Sequence, residues 1–157
     1  MDIIIQIIII LIIFLGFPLG ILLARISPEE IKTGKRYFKV IQTILLVFIL
    51  FFLLNYLNLN IIFSLLITLV TFFLLFYWPK EKSFLFYLFL PLIIYFSKNN
   101  FNLFALQSSL IFIFGIVTGS LFAQVKKKKF ISPIKQIFLM IFRNSVFILL
   151  SVLGLVL

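Results

Sequence analysis

The chain has no cysteine and no histidine. Those absences remove disulfides, thiolate and imidazole metal sites, haem ligation through histidine, and every nucleophilic triad built on Cys or His. Acidic residues are almost as scarce: Asp2, Glu29, Glu30 and Glu81 are the four carboxylates in 157 residues, and none lies inside a long apolar run. A proton-coupled carrier of the usual kind places a carboxylate or imidazole at membrane depth, and an acid–base enzyme needs such groups beside its substrate. No G-x-S-x-G elbow, H-E-x-x-H helix or carboxylate cluster is present either. The chain is therefore not expected to be an enzyme, and no catalytic residue, metal or cofactor is expected.

What it has in excess is hydrocarbon. Hydrophobic residues make up 64% and charged residues 11%, against roughly 45–50% and 25% in soluble domains. The mean hydropathy is +1.33. A soluble fold of this length has too few polar side chains to cover so much apolar surface. The composition predicts an all-α integral membrane protein, multi-pass, in the cell membrane. The net charge of +10 is not a nucleic-acid signal, because the basic residues sit beside the apolar runs, where anionic headgroups and the positive-inside rule put them. The opening M-D-I-I-I-Q lacks the basic start of a secretory signal, so the first apolar run reads as a retained span.

A helix crosses the hydrocarbon core in about 20 apolar residues. Six segments approach that length: 3–24, 38–57, 61–78, 83–96, 103–125 and 134–157. They predict one compact bundle with nothing left for a soluble domain. Gln6 interrupts the first and Pro18 bends or loosens it, while the fourth is short and carries Pro91. Charge decides whether the fourth crosses. If all six cross, loops 25–39, 79–82 and 126–135 share one side and hold five, two and five Lys or Arg, while the other side has only Lys98. If the fourth did not cross, Lys126 to Lys129 would face outside, against the positive-inside rule. The expectation is six spans with both termini outside. Tyr37, Tyr77 and Trp78 then fall at the inner ends and Tyr56 and Tyr95 at the outer ends, where amphipathic rings settle.

The stretch from Arg25 to Lys39 divides the first two apolar runs and is the longest water-compatible piece. Ser27, Pro28 and Glu30 have the order of a capping box with proline at the first helical position. Gly34 is placed to end that turn in a left-handed conformation, which predicts a short interfacial helix before the second span. Glu29, Glu30, Lys35 and Arg36 have two readings: a solvated connector that enforces topology, or a patch for a lipid phosphate or a partner.

Two spans carry small residues every fourth position: Gly16, Gly20 and Ala24 on the first, Gly115, Gly119 and Ala123 on the fifth. Such stripes let helix backbones approach where no hydrophobic effect drives association. They predict contact between the first and fifth helices, or between either and a second chain, including another copy. Each stripe precedes an Ile-Ser-Pro tripeptide, at 26–28 and 131–133, the pattern a parallel duplication would leave.

Arg143 is the one strongly charged residue well inside a span. A mid-helix Arg costs about 2.5–3.5 kcal/mol on insertion scales, and no span holds an acid to pair with it. It either snorkels to cytoplasmic headgroups or takes a lipid phosphate, an anionic ligand, helix-end carbonyls or a partner's acid. Asn144 and Ser145, with Gln107, Ser108, Ser109, Thr118, Ser120 and Gln124, are candidates for an interhelical polar seam. Together these features favour a non-catalytic subunit or assembly factor working through helix packing and a basic cytoplasmic face. The alternative is a small transporter, channel or substrate-binding membrane subunit using neutral polar groups and Arg143. The partners expected are the bilayer, anionic headgroups at the cytoplasmic face and another membrane subunit or a second copy.

Overall fold

The computed structural model describes residues 3–77, 82–126 and 133–156. Among these the regular structure is helical throughout, with no strand: α1 (Ile3–Ile26), α2 (Pro28–Tyr56), α3 (Ile61–Tyr77), α4 (Lys82–Ser97), α5 (Phe101–Lys126) and α6 (Pro133–Val156). Three stretches, Ile3–Ile26, Thr33–Tyr56 and Phe101–Ala123, are long and apolar enough to cross a membrane.

The stretch between the first two spans departs from expectation. There is no separate interfacial helix. Only Ser27 breaks the path between α1 and α2, and the chain is helical again from Pro28. Gly34 lies within α2 and has no positive φ. Glycine permits a left-handed stop without enforcing one, and its cost inside a helix is only about 1 kcal/mol. The capping box is not made either. Ser27 makes no side-chain cap bond; its backbone N–H instead closes the last turn of α1 on the Leu23 carbonyl at 3.1 Å. Proline at the first helical position starts α2 by its fixed φ alone. As a result α2 has 29 residues, about 43 Å of helix, with its first turns carrying Glu29, Glu30, Lys35 and Arg36.

Helix directions follow from the cross-helix contacts. Gly16 of α1 lies against Phe112 of α5, and Gly20 against Ile116 and Ser120, so α1 and α5 run parallel. Gln42 and Ile49 of α2 meet Thr118 and Gln107 of α5, so these two run antiparallel. Tyr95 in the last turn of α4 and Lys98 just after it meet Gly154 near the end of α6. Gln6 near the start of α1 meets Lys98. One end of the bundle thus gathers the start of α1, the end of α4, the start of α5 and the end of α6.

The core lies along α1 and α5, which make the most extensive helix–helix contact among the described residues. The buried side of α1 runs Gln6, Ile10, Ile13, Phe14, Gly16, Phe17, Gly20, Ile21 and Ala24, a stripe of i, i+3 and i+4 steps. Phe104, Ile111 and Phe114 face it from α5, and Phe147 from α6 is buried with them. Away from this core, large apolar side chains point outward, including Ile4, Leu15, Phe63, Leu66 and Phe73. Among the described side chains of α3 the buried ones are Ser64 and Thr68, and the helix packs chiefly on α2.

Candidate functional site

The α1–α5 seam is built by what the glycines lack. A Cβ on Gly16 would sit 2.5 Å from the Phe112 carbonyl oxygen, about 1 Å short of the roughly 3.3–3.6 Å at which carbon normally meets that atom. A Cβ on Gly20 would overlap the Ile116 carbonyl, and one on Gly119 would overlap the Phe17 carbonyl. Gly115 is less tight, its nearest contact being Phe17 N at 3.3 Å. Ala24 and Ala123 continue the two stripes and are both buried. Because the backbones touch, Ser120 Oγ reaches across to donate to the Gly20 carbonyl at 2.9 Å, and it also bonds the Ile116 carbonyl. Close packing and a buried polar bond therefore occupy the same few residues.

Polar side chains tie α5 to α2 as well. Gln42 Nε2 donates to Thr118 Oγ1 at 3.0 Å, and Gln107 Nε2 donates to the Ile49 carbonyl at 2.9 Å. Gln107 is fully buried, and its Oε1 has no hydrogen-bond partner. Ser108 Oγ is buried without a partner, as are Ser64 Oγ and Ser151 Oγ. The exposed Ser109 turns back to the Ala105 carbonyl of its own helix, and Ser145 does the same to Phe142. Of the seam candidates with described side chains, Gln107, Thr118 and Ser120 bond across to another helix.

A second polar cluster closes the end of the bundle where α1 begins. Gln6, only 5% exposed, donates through Nε2 to the Lys98 carbonyl at 3.1 Å. The Lys98 ammonium donates to the Gly154 carbonyl at 3.1 Å and lies 4.4 Å from the centroid of the Tyr95 ring. Gly154 is in the last turn of α6, where carbonyls lack intrahelical partners and the helix dipole favours a cation. Three segments distant in sequence are thereby clasped. Beside the clasp lies a pocket of about 320 Å³ lined by Ile3, Gln6, Lys98, Asn99, Phe101 and Leu155. Gln6 and Lys98 had appeared in the sequence only as a polar interruption and as the lone cation of its side; that they meet was not visible.

The remaining candidates are not gathered into a site. Glu29, Glu30, Lys35 and Arg36 are all exposed on the first turns of α2. Thr33 Oγ1 donates back to the backbone carbonyls of Glu29 and Glu30, which satisfies the hydroxyl within its own helix. Arg143 and Asn144 lie on α6, and their side chains fall outside the described residues, as does that of Gln124. The lysines at 127–129, Trp78 and Glu81 also lie outside them. Among the described residues no cluster of carboxylates could hold a metal ion. Compared with protein-family models, curated proteins and solved structures, the chain matches none.

Proposed function

We propose that this chain is a non-catalytic, multi-pass protein of the cell membrane: a subunit or assembly factor that crosses the bilayer six times, with both termini outside, and works through helix packing and a basic cytoplasmic face. The observation that carries the reading is the parallel run of α1 and α5. Two helices that both cross a membrane in the same sense need an odd number of crossings between them. With α2 antiparallel to α5 and a tight turn joining α2 to α3, a crossing by α3 requires one by α4, so the parallel run supports six spans. The clustering of twelve Lys or Arg in three loops, against Lys98 alone opposite, supports the same number of crossings and is what puts both termini outside. At 17 and 16 residues, α3 and α4 are about 25 Å long, so the bilayer thins beside them or flanking polar residues reach outward.

The packing-based role rests on how the polar groups are used. The interhelical bonds described above hold helices to each other, and the broad apolar exterior is left for lipid or for a partner span. The first turns of α2 carry Lys35 and Arg36, both exposed, at the polar start of the helix ahead of its most apolar part, available to headgroups or a partner. Two measurements test the proposal. A reporter fused after Leu157 is expected to be active only outside; activity only in the cytoplasm refutes the topology. Purification in mild detergent is expected to bring down a membrane partner or a second copy; a monodisperse monomer that transports a solute across vesicles refutes the role.

A further inference from the structure

We propose that the pocket between the start of α1, the α4–α5 turn and the end of α6 binds the phosphate of an anionic amphiphile, a phospholipid of the outer leaflet. The inference rests on the membrane reading above but not on the partner role.

The pocket is chemically one-sided. Its polar lining is Gln6, Lys98 and Asn99, and among the described residues no acidic side chain lines it to balance the ammonium. Lys98 gives one N–H to the Gly154 carbonyl and stands against the Tyr95 ring. An ammonium has three N–H groups, so donor capacity is left over. Asn99 is exposed, and among the described residues nothing engages its side-chain amide. The two donors follow one another in the turn after α4 and line the same space. A phosphate with several acceptor oxygens matches two adjacent donors, one of them charged.

The rest of the lining is apolar. Ile3, Phe101 and Leu155 complete the wall, and Ile3 and Phe101 are 53% and 61% exposed. In the proposed embedding that flank meets acyl chains, so a ligand with an anionic head and a hydrocarbon tail satisfies both halves of the site. It also gives Lys98 a use that topology does not, since the positive-inside rule disfavours a lysine at this end.

The test uses the full chain, delipidated in a neutral maltoside detergent. It is titrated with short-chain phosphatidylglycerol, short-chain phosphatidylcholine or inorganic phosphate, with bound lipid counted by native mass spectrometry. Asn99→Ala leaves the Lys98 clasp intact, and Ile3→Trp fills the pocket from its exposed wall. Loss of a hydrogen bond to a charged group corresponds to about a tenfold loss of affinity or more. Wild type is expected to bind one phosphatidylglycerol at least about tenfold more tightly than Asn99→Ala, with that site absent in Ile3→Trp and Lys98→Met and retained in Lys98→Arg. Displacement by millimolar inorganic phosphate would show that the anion suffices; persistence would show that the tail contributes. Equal phosphatidylglycerol binding by wild type, Asn99→Ala and Ile3→Trp overturns the proposal, and so does equal affinity for phosphatidylcholine. Failure of the membrane reading shows separately, as release of the protein from membranes at alkaline pH.

Discussion

Adding a single methyl group to the α1–α5 seam should destabilise the protein, although the same change ordinarily favours a helix. Gly→Ala inside a helix is worth about 1 kcal/mol in intrinsic propensity. At Gly20 the new Cβ would overlap the Ile116 carbonyl oxygen and lie 2.8 Å from its carbon and 2.9 Å from Ser120 N. At Gly119 it would overlap the Phe17 carbonyl and lie 3.1 Å from Gly20 Cα. These neighbours are backbone, so no rotamer change relieves the contact and the helices must separate. Overpacking of that kind falls at the upper end of its range, about 3 kcal/mol. After the propensity gain, each substitution should cost about 2 kcal/mol. For a chain of this size that corresponds to an apparent Tm lower by about 4–8 °C, read by thermal unfolding in detergent. Gly34→Ala is the control. Among the described residues its Cβ would meet the Phe38 ring, at 3.3 Å, and a side chain can yield. That variant should gain up to about 1 kcal/mol and melt about 2–4 °C higher. If Gly20→Ala and Gly119→Ala melt at or above wild type, the close approach of α1 and α5 is wrong.

Gln107 separates two kinds of loss. Gln107→Leu gives up a bond to Ile49 but also removes a buried oxygen without a partner, so stability should hold or rise by about 1 kcal/mol. Gln107→Glu deletes the donor and leaves a buried carboxylate facing a carbonyl, and should cost about 3 kcal/mol or more; thermal unfolding of the pair at neutral pH is the check, and equal melting would refute the assignment. Arg143→Leu should insert and fold at least as well as wild type, since it removes a desolvation cost, yet lose lipid or partner association in pull-down. Arg143→Lys should be intermediate, because an ammonium keeps the charge but not the bidentate fork. Full retention of every association by Arg143→Leu would mean that the side chain merely snorkels.

Composition alone determined that this chain is helical and apolar beyond what water tolerates, because a bilayer demands internally bonded backbone and about 20 apolar residues per crossing. Helix ends were legible to within a few residues wherever charge or a polar turn interrupts hydrocarbon. The exception was α2, where Gly34 and Ser27 offered a stop and a cap that the chain does not use. The inward side of α1 was hidden, since isoleucine and leucine cover all its sides and hydrophobicity has no preferred direction; only Gly16, Gly20 and Ala24 marked it. Sequence also held Gln6, Lys98 and Gly154 apart by up to 148 positions. Tertiary structure alone brought them together, because the buried Gln6 amide needs an acceptor and the half-buried Lys98 ammonium is favoured beside a helix-end carbonyl. The parallel run of α1 beside α5 was decided at the same level: with glycine on both sides, two backbones come close enough for dispersion and the Ser120 bond to act.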